Sequence, residues 1–186
     1  INAGLYRNLS FDVRQAFLPV SLVGVLPNVI LVNGRFPARN LAELIALLRA
    51  NPGKYTYASS GNGTITHLSA QLLMTMIGAQ ALHVPYRGSG PALQDLAAGN
   101  ADIMVDTLGG GPGLLEAGHI RALAVTSARR SATLPNVPTA AEAGLPGYET
   151  TNWHGIFATQ NTPAAAVARL EAAAMAAVRS PATRAR

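Results

Sequence analysis

No cysteine occurs in the chain, which removes disulfides and thiolate metal sites from consideration. Charge is scarce as well: Asp, Glu, Lys and Arg make up 12% of the residues. Of the 14 basic residues, Lys54 is the single lysine and the rest are arginines. The sole adjacent basic pair is Arg129-Arg130, and aromatic residues reach only 5%. With neither a basic run nor an aromatic platform, a nucleic-acid surface is not expected. The net charge of +5 suits small anionic ligands instead. Long hydrophobic runs are also missing. The most apolar long stretch, Pro163 to Val178, is broken by Arg169 and Glu171, so no membrane insertion is expected. No signal peptide is evident, and the chain opens on Ile1 rather than Met, so a missing start is expected. The four histidines have no metal-site spacing and no cysteine partners. Neither a metal nor a cofactor is expected.

What remains is apolar and glycine-rich. With 186 residues, 49% of them apolar, the chain can form one large domain or two small ones with real cores. Val20 to Val25 and Val29 to Val32 read as two buried strands split by Pro27-Asn28. Asn40 and Glu43 form a capping box for a helix with Leu41, Leu44, Ile45 and Leu48 on its apolar stripe. Asn51-Pro52-Gly53 ends it.

The stretch Tyr55 to His67, YTYASSGNGTITH, organises the rest. It reads as a short strand, a Ser/Gly/Asn loop from Ser59 to Gly63, and a helix opening at Thr64. A helix start carries free N–H groups and partial positive charge, which suit an anion. Gly61 and Gly63 permit close backbone approach, and Ser59, Ser60, Asn62 and Thr64 add polar groups. No Lys is present for a phosphate-binding P-loop, and the first glycine of a nucleophile elbow is missing. A carboxylate-binding loop and an ordinary βα connection both remain open.

The rhythm then repeats. Leu82 to Tyr86 is a strand, Arg87-Gly88-Ser89-Gly90 a second glycine loop, and Pro91 to Ala98 a helix closed by Gly99. Asp102 to Asp106 is a strand, followed by Gly109-Gly110-Gly111 and a helix opened by Pro112. Ile120 to Thr126 is again a strand. Successive strand–loop–helix units predict parallel strands with right-handed crossovers. The three glycine loops then share one rim, where α/β sheets bind ligands. Ser127 to Tyr148 is irregular apart from a short helix with a capping box from Thr139 to Glu142. Trp153 to Ala158 is a last strand, and an Ala-rich helix follows Thr162-Pro163.

Among single residues, His67 lies in the first turn of the central helix, where a neutral ring that donates one hydrogen bond is expected. Ser60, His67 and Asp106 compose a hydrolytic triad on paper. The Ser59-Ser60 pair keeps a serine hydrolase as the rival reading from another class. Tyr86 and Arg87 end a strand beside a glycine loop, and Arg87 can face an anion or solvent. Asp106 at a strand end suits a loop N–H or a ligand amine. His83 and His119 read as structural, and Trp153 as a core or hinge-packing residue.

Four blocks, YASSGNGTITHLSAQLL, HVPYRGSGPALQDLAAGNADIMVDT, IRALAVTSARRSATLPNVPTAAEAGLPGYE and NWHGIFATQNTPAAAVARL, resemble a Bug-type receptor. These are extracytoplasmic solute-binding proteins of the tripartite tricarboxylate transporter systems. The resemblance implies an α/β, type II periplasmic-binding-protein-like fold, with two lobes joined by crossing strands. It implies that residues 1–30 and 151–186 are a partial first lobe and residues 31–150 the second. It implies periplasmic location, no catalysis, a small organic acid ligand, and membrane transporter subunits as partners. Ser60, Gly61, Thr64 and His67 match the family's ligand loop. Tyr86, Arg87 and Gly88 match its strand-end Tyr, basic residue and Gly, and Asp106 its next acidic strand end. The family's leader, first strand and facing cleft wall have no counterpart here, nor has much of its C-terminal portion. An internal fragment with an apolar, association-prone face on the incomplete lobe is therefore expected.

Overall fold

The computed structural model describes residue 4, residues 10–109 and residues 111–184. Gly110, the middle of the third glycine loop, lies outside the described residues. A one-turn helix α1 (Val13–Ala16) leads into strand β1 (Phe17–Asn33). Then follow α2 (Leu41–Ala50), β2 (Thr56–Ser59), α3 (Ile65–Ile77), β3 (Leu82–Pro85) and α4 (Ser89–Ala98). β4 (Ile103–Thr107), α5 (Pro112–Glu116), β5 (Ile120–Val125), β6 (Thr151–Thr159), α6 (Ala164–Arg179) and α7 (Pro181–Arg184) complete the order. The sheet runs β3-β2-β4-β1-β5, and β6 pairs with β1.

The βα rhythm forms as expected. β2 pairs in parallel with β3 and with β4, while β1 is antiparallel to both β4 and β5. The two apolar runs before residue 33 are one 17-residue strand rather than two. Pro27 does not break it, because the ladder to β4 begins at Asn28 paired with Thr107. No neighbour needs the N–H that Pro27 lacks, and its carbonyl accepts from the Leu108 amide at 3.1 Å.

The chain divides into two compact units, Ile1–Val25 with Trp153–Arg186, and Leu26–Asn152. In the larger unit, Val29 to Val32 are wholly buried because both sheet faces are covered. Ile30, Val32, Ile103 and Val105 pack with Leu41, Leu44 and Leu48 of α2 and with Leu73 and Ile77 of α3. Val29, Leu31 and Met104 face the other way, against Ala92, Leu93 and Leu96 of α4. The period-2 alternation along β1 therefore feeds two cores. Each fully buried Leu or Ile stabilises by about 1.5–3 kcal/mol before entropy.

Local signals set the helix ends. The Asn40 carboxamide accepts from the Glu43 amide at 2.9 Å, and Glu43 accepts from the Arg39 amide at 2.7 Å. Gly78 closes α3 in the left-handed region at φ 61°. α4 starts at Ser89, two residues before Pro91, so the proline falls in the first turn, where its missing N–H is tolerated. The Thr139–Glu142 box also forms, with Glu142 accepting from the Thr139 amide at 2.8 Å and pairing with Arg130. Turns rather than a helix follow it, since Gly144 and Pro146 stop propagation.

The smaller unit packs differently. Among its described residues only Val20, Ala158 and Ala174 are buried apolar ones. Leu22, Val25, Ile156, Phe157 and Leu170 are exposed on this unit. Trp153 is not a core residue: it is 55% exposed and lies 6.0 Å from the Phe157 ring. Within this unit the Gln160 amide donates to the Ala16 carbonyl at 3.1 Å.

Candidate functional site

Parallel register brings the glycine loops together. Ser59 pairs with Pro85, and Ala58 with Met104, so β2, β3 and β4 end on one rim of the larger unit. The first two loops are tied directly: the Tyr86 amide donates to the Ser59 carbonyl at 2.9 Å, and the Gly88 amide to the Ser60 carbonyl at 3.1 Å. Gly61 is required at its place. Its φ is 135°, and a Cβ there would lie 3.3 Å from the Tyr86 carbonyl oxygen.

Hydroxyls knit the first loop. The Thr64 hydroxyl donates to the Gly61 carbonyl at 2.7 Å and meets the Thr66 hydroxyl at 3.0 Å. The Ser60 hydroxyl meets the same Thr66 oxygen at 2.9 Å, and Thr66 Oγ1 accepts from the Ser60 amide at 2.9 Å. Asn62 is exposed at the tip. His67 Nδ1 accepts from the Gly63 amide at 3.0 Å, which puts the ring proton of the neutral imidazole on Nε2. The buried Ser59 hydroxyl lies 2.7 Å from His83 Nε2 and accepts from the Gly61 amide at 3.2 Å.

The helices that open on this rim carry no side-chain cap. α3 begins after Thr64 and α4 after Gly88, each with no side chain bonded to its first amides. α2, by contrast, is capped by Asn40. Two uncapped helix starts side by side concentrate unsatisfied N–H donors and partial positive charge. Arg87, exposed beside them, has no ion-pair partner among the described residues. This set of groups is chemically suited to an anion.

Two predicted residues point elsewhere in detail. The Tyr86 hydroxyl donates to Asp95 at 2.8 Å on α4, and burial plus that bond push its phenol up to about 12. Its amide, not its ring oxygen, serves the loops. Asp106 is wholly buried, and its Oδ1 accepts from the Ser89 hydroxyl at 3.0 Å and the Thr107 amide at 2.8 Å. The paper triad is not assembled. Ser60 bonds Thr66, His67 bonds Gly63, and Asp106 bonds Ser89. Ser59 does meet a histidine, but it is buried, and no carboxylate pairs with His83 among the described residues. The geometry gives a serine hydrolase no support.

Asn28, where the ladder of β1 to β4 begins, and Thr126, just past β5, escaped the sequence reading. The Asn28 carboxamide donates to the Thr150 hydroxyl at 3.0 Å and the Ser69 hydroxyl at 3.4 Å. Its amide donates to Thr126 Oγ1 at 2.9 Å. A polar residue inside an apolar strand was the available signal. Two buried side-chain oxygens have no partner among the described residues, Asn28 Oδ1 and Asp106 Oδ2. Both are acceptors on this rim, so a ligand hydroxyl or ammonium, or a water, suits them. A cavity of about 350 Å³ lined by Asn33, Gly34, Arg35, Ala97, Gly118 and His119 lies at the other end of the sheet. Its Asn33 and Arg35 groups already bond the last carbonyls of α4, so it reads as a helix stop.

Burial raises Asp106 above the usual carboxylate range. The folded chain thus takes up this proton before the unfolded chain does. Its contribution is favourable below about pH 3.9 and lost as pH rises through the raised value, leaving a cost at neutrality. Asp106→Asn removes the charge and keeps both Oδ1 bonds. Calorimetric scans should show a higher Tm for this variant at pH 7, with the gap closing toward about pH 4. A lower Tm at pH 7 would refute the assignment.

A family model described as "Tripartite tricarboxylate transporter family receptor" matches residues 2–186. The "UPF0065 protein in tcbD-tcbE intergenic region" of Pseudomonas sp. (strain P51) is 42% identical over 177 residues, which is 95% of this chain and 53% of that protein. "Protein BugT" of Bordetella pertussis is 34% identical, over 87% of this chain and 50% of its own length. Among solved structures, R. palustris Rpa4515 with adipate superposes with TM-score 0.88 at 40% identity, covering 96% of this chain and 60% of that one. MatC (Rpa3494) from Rhodopseudomonas palustris with bound malate gives 0.90 at 32%, covering 98% and 62%. The chain spans about half the length of the curated relatives it matches. No helix among the described residues is long and apolar enough to cross a membrane. On these grounds the chain belongs to the tripartite tricarboxylate transporter receptor family, whose solved members are periplasmic solute-binding proteins of mixed α/β fold.

Proposed function

We propose that this chain is the ligand-holding portion of a periplasmic receptor that captures a small dicarboxylate or related organic acid for membrane transporter subunits. One observation carries the reading: α3 and α4 open side by side on a shared rim, with no side chain occupying their first amides. The adipate and malate held by two similar structures supply the ligand class. One carboxylate is met by the first free amides of α3, Ile65 to His67, and of α4, Ser89 and Gly90, with Ser59, Ser60, Gly61, Asn62, Thr64 and Gly88 shaping the loops and Arg87 adding positive charge. Asp106 answers a hydroxyl or ammonium on the ligand. Residues 31–150 form the ligand lobe, and residues 1–30 with 151–186 belong to the other.

A thermal-shift panel of malate, adipate, citrate and glutamate tests this. A ligand at 100 times its Kd adds about 2.7 kcal/mol, a rise of roughly 5–10 °C for a chain of this size. Thr64→Val loosens the loop by removing its bonds to Gly61 and Thr66, and should weaken binding by about 1–3 kcal/mol in titration calorimetry. A cooperative melt that none of the acids moves would count against the receptor reading.

A further inference from the structure

Two imidazoles lie beneath the first loop and hold it from both ends. The His67 and His83 rings are stacked at 4.0 Å between centroids with 5° between planes. His67 Nδ1 takes the Gly63 amide, and His83 Nε2 meets the Ser59 hydroxyl, which itself takes the Gly61 amide. We infer that this stacked pair is the proton sensor of the Ser59–Gly63 loop, closing the loop when neutral and releasing Gly63 when the pair takes up a proton. This rests on the reading of that loop as the ligand loop, and supplies its regulation.

The chemistry is asymmetric. A proton on His83 Nε2 can be donated to Ser59 Oγ, so that side of the loop survives. A proton on His67 Nδ1 turns an acceptor into a donor facing the Gly63 N–H, so that bond is lost. Two imidazolium rings 4.0 Å apart repel, so the pair accepts one proton far more readily than two. The surroundings offer nothing to hold a cation. β2 contributes Tyr57, 4.8 Å from the His83 ring and 6.3 Å from His67, with its hydroxyl donating to Gln71. α3 contributes no charged residue, β3 none, and the loop after β3 contributes the cation Arg87. Among the described residues no carboxylate pairs with either ring. Burial, and then the His67 ring, hold His83 below the usual imidazole range. His83 is therefore held in its neutral form above about pH 6.5, and that form gives way only as pH falls below it.

Amide hydrogen exchange of the full chain without ligand, read by NMR from pH 8 to pH 5, tests this, and no acid ligand titrates alongside. The protection factor of Gly63, corrected for its intrinsic rate, should fall about tenfold per pH unit below the midpoint. Leu73, in the core of the same helix, should hold. In His67→Asn, which cannot take the proton, Gly63 protection should be flat with pH. Constant Gly63 protection in the wild type overturns the inference, and so does an equal loss at Leu73, which would place the effect on the whole fold. Malate and adipate titrations at pH 7.5 decide the receptor reading separately. A chain that binds neither yet loses Gly63 protection keeps the sensor and drops the receptor.

Discussion

Gly61→Val should abolish acid binding while leaving most of the fold intact. Gly61 has φ 135°, a conformation that a β-branched residue adopts only under strain. That strain costs about 1–3 kcal/mol. The added Cβ would also press on the Tyr86 carbonyl at 3.3 Å, tighter than ordinary contact. The first loop would have to move away from the second, and the amides of α3 would no longer converge with those of α4. Loss of that convergence removes the proposed anion contact, so the expected drop in affinity exceeds about 100-fold, or 2.7 kcal/mol. Calorimetric titration with malate or adipate measures it. Gly88, also at positive φ, has open space around its Cβ, so Gly88→Ala should be milder. Equal binding by Gly61→Val and wild type would mean that the ligand does not touch this loop.

Leu73→Ala should produce the largest loss of stability. Leu73 is wholly buried on α3 in the cluster with Ile30, Val105 and Ile77. Truncation leaves a cavity that a sheet on one side and a helix on the other close only partly, and such changes cost about 2–5 kcal/mol. For a chain of this length the melt should fall by roughly 4–20 °C. Leu72, its neighbour, is 40% exposed, so Leu72→Ala should move the melt by far less. Circular dichroism melts of the two variants side by side give the comparison. Similar shifts would show that α3 does not pack by the face described.

The candidate site was legible where its signals were local. Gly61, Gly63 and Gly88 announce positive φ, and Gly78 and Gly99 announce helix ends, because these needs are met within a few residues. The shared rim followed from the strand–loop–helix rhythm, since parallel strands end on one side. What failed to show was long-range. Pro27-Asn28 reads as a break because a proline interrupts a ladder, yet here the ladder starts one residue later. His83 reads as structural until the register sets it opposite Tyr57, which carries it under Ser59 and beside His67. Asn28 gained its meaning only from Thr126 and Thr150, about a hundred residues on. Trp153 looked like a core residue by type, and its exposure depends on what surrounds it rather than on its neighbours in sequence.

The unequal packing of the two units bears on what any melting curve of this chain reports. The larger unit holds nearly all the buried apolar side chains among the described residues, and the smaller holds three. Cooperativity comes from shared burial, so the two need not unfold in one step. The main transition therefore tracks the sheet that carries the loops, and the β1–β6 ribbon with α6 can open beneath it with little heat. A single midpoint is then a property of the site-bearing unit, and a two-state enthalpy fitted to the whole chain would come out too small for its length.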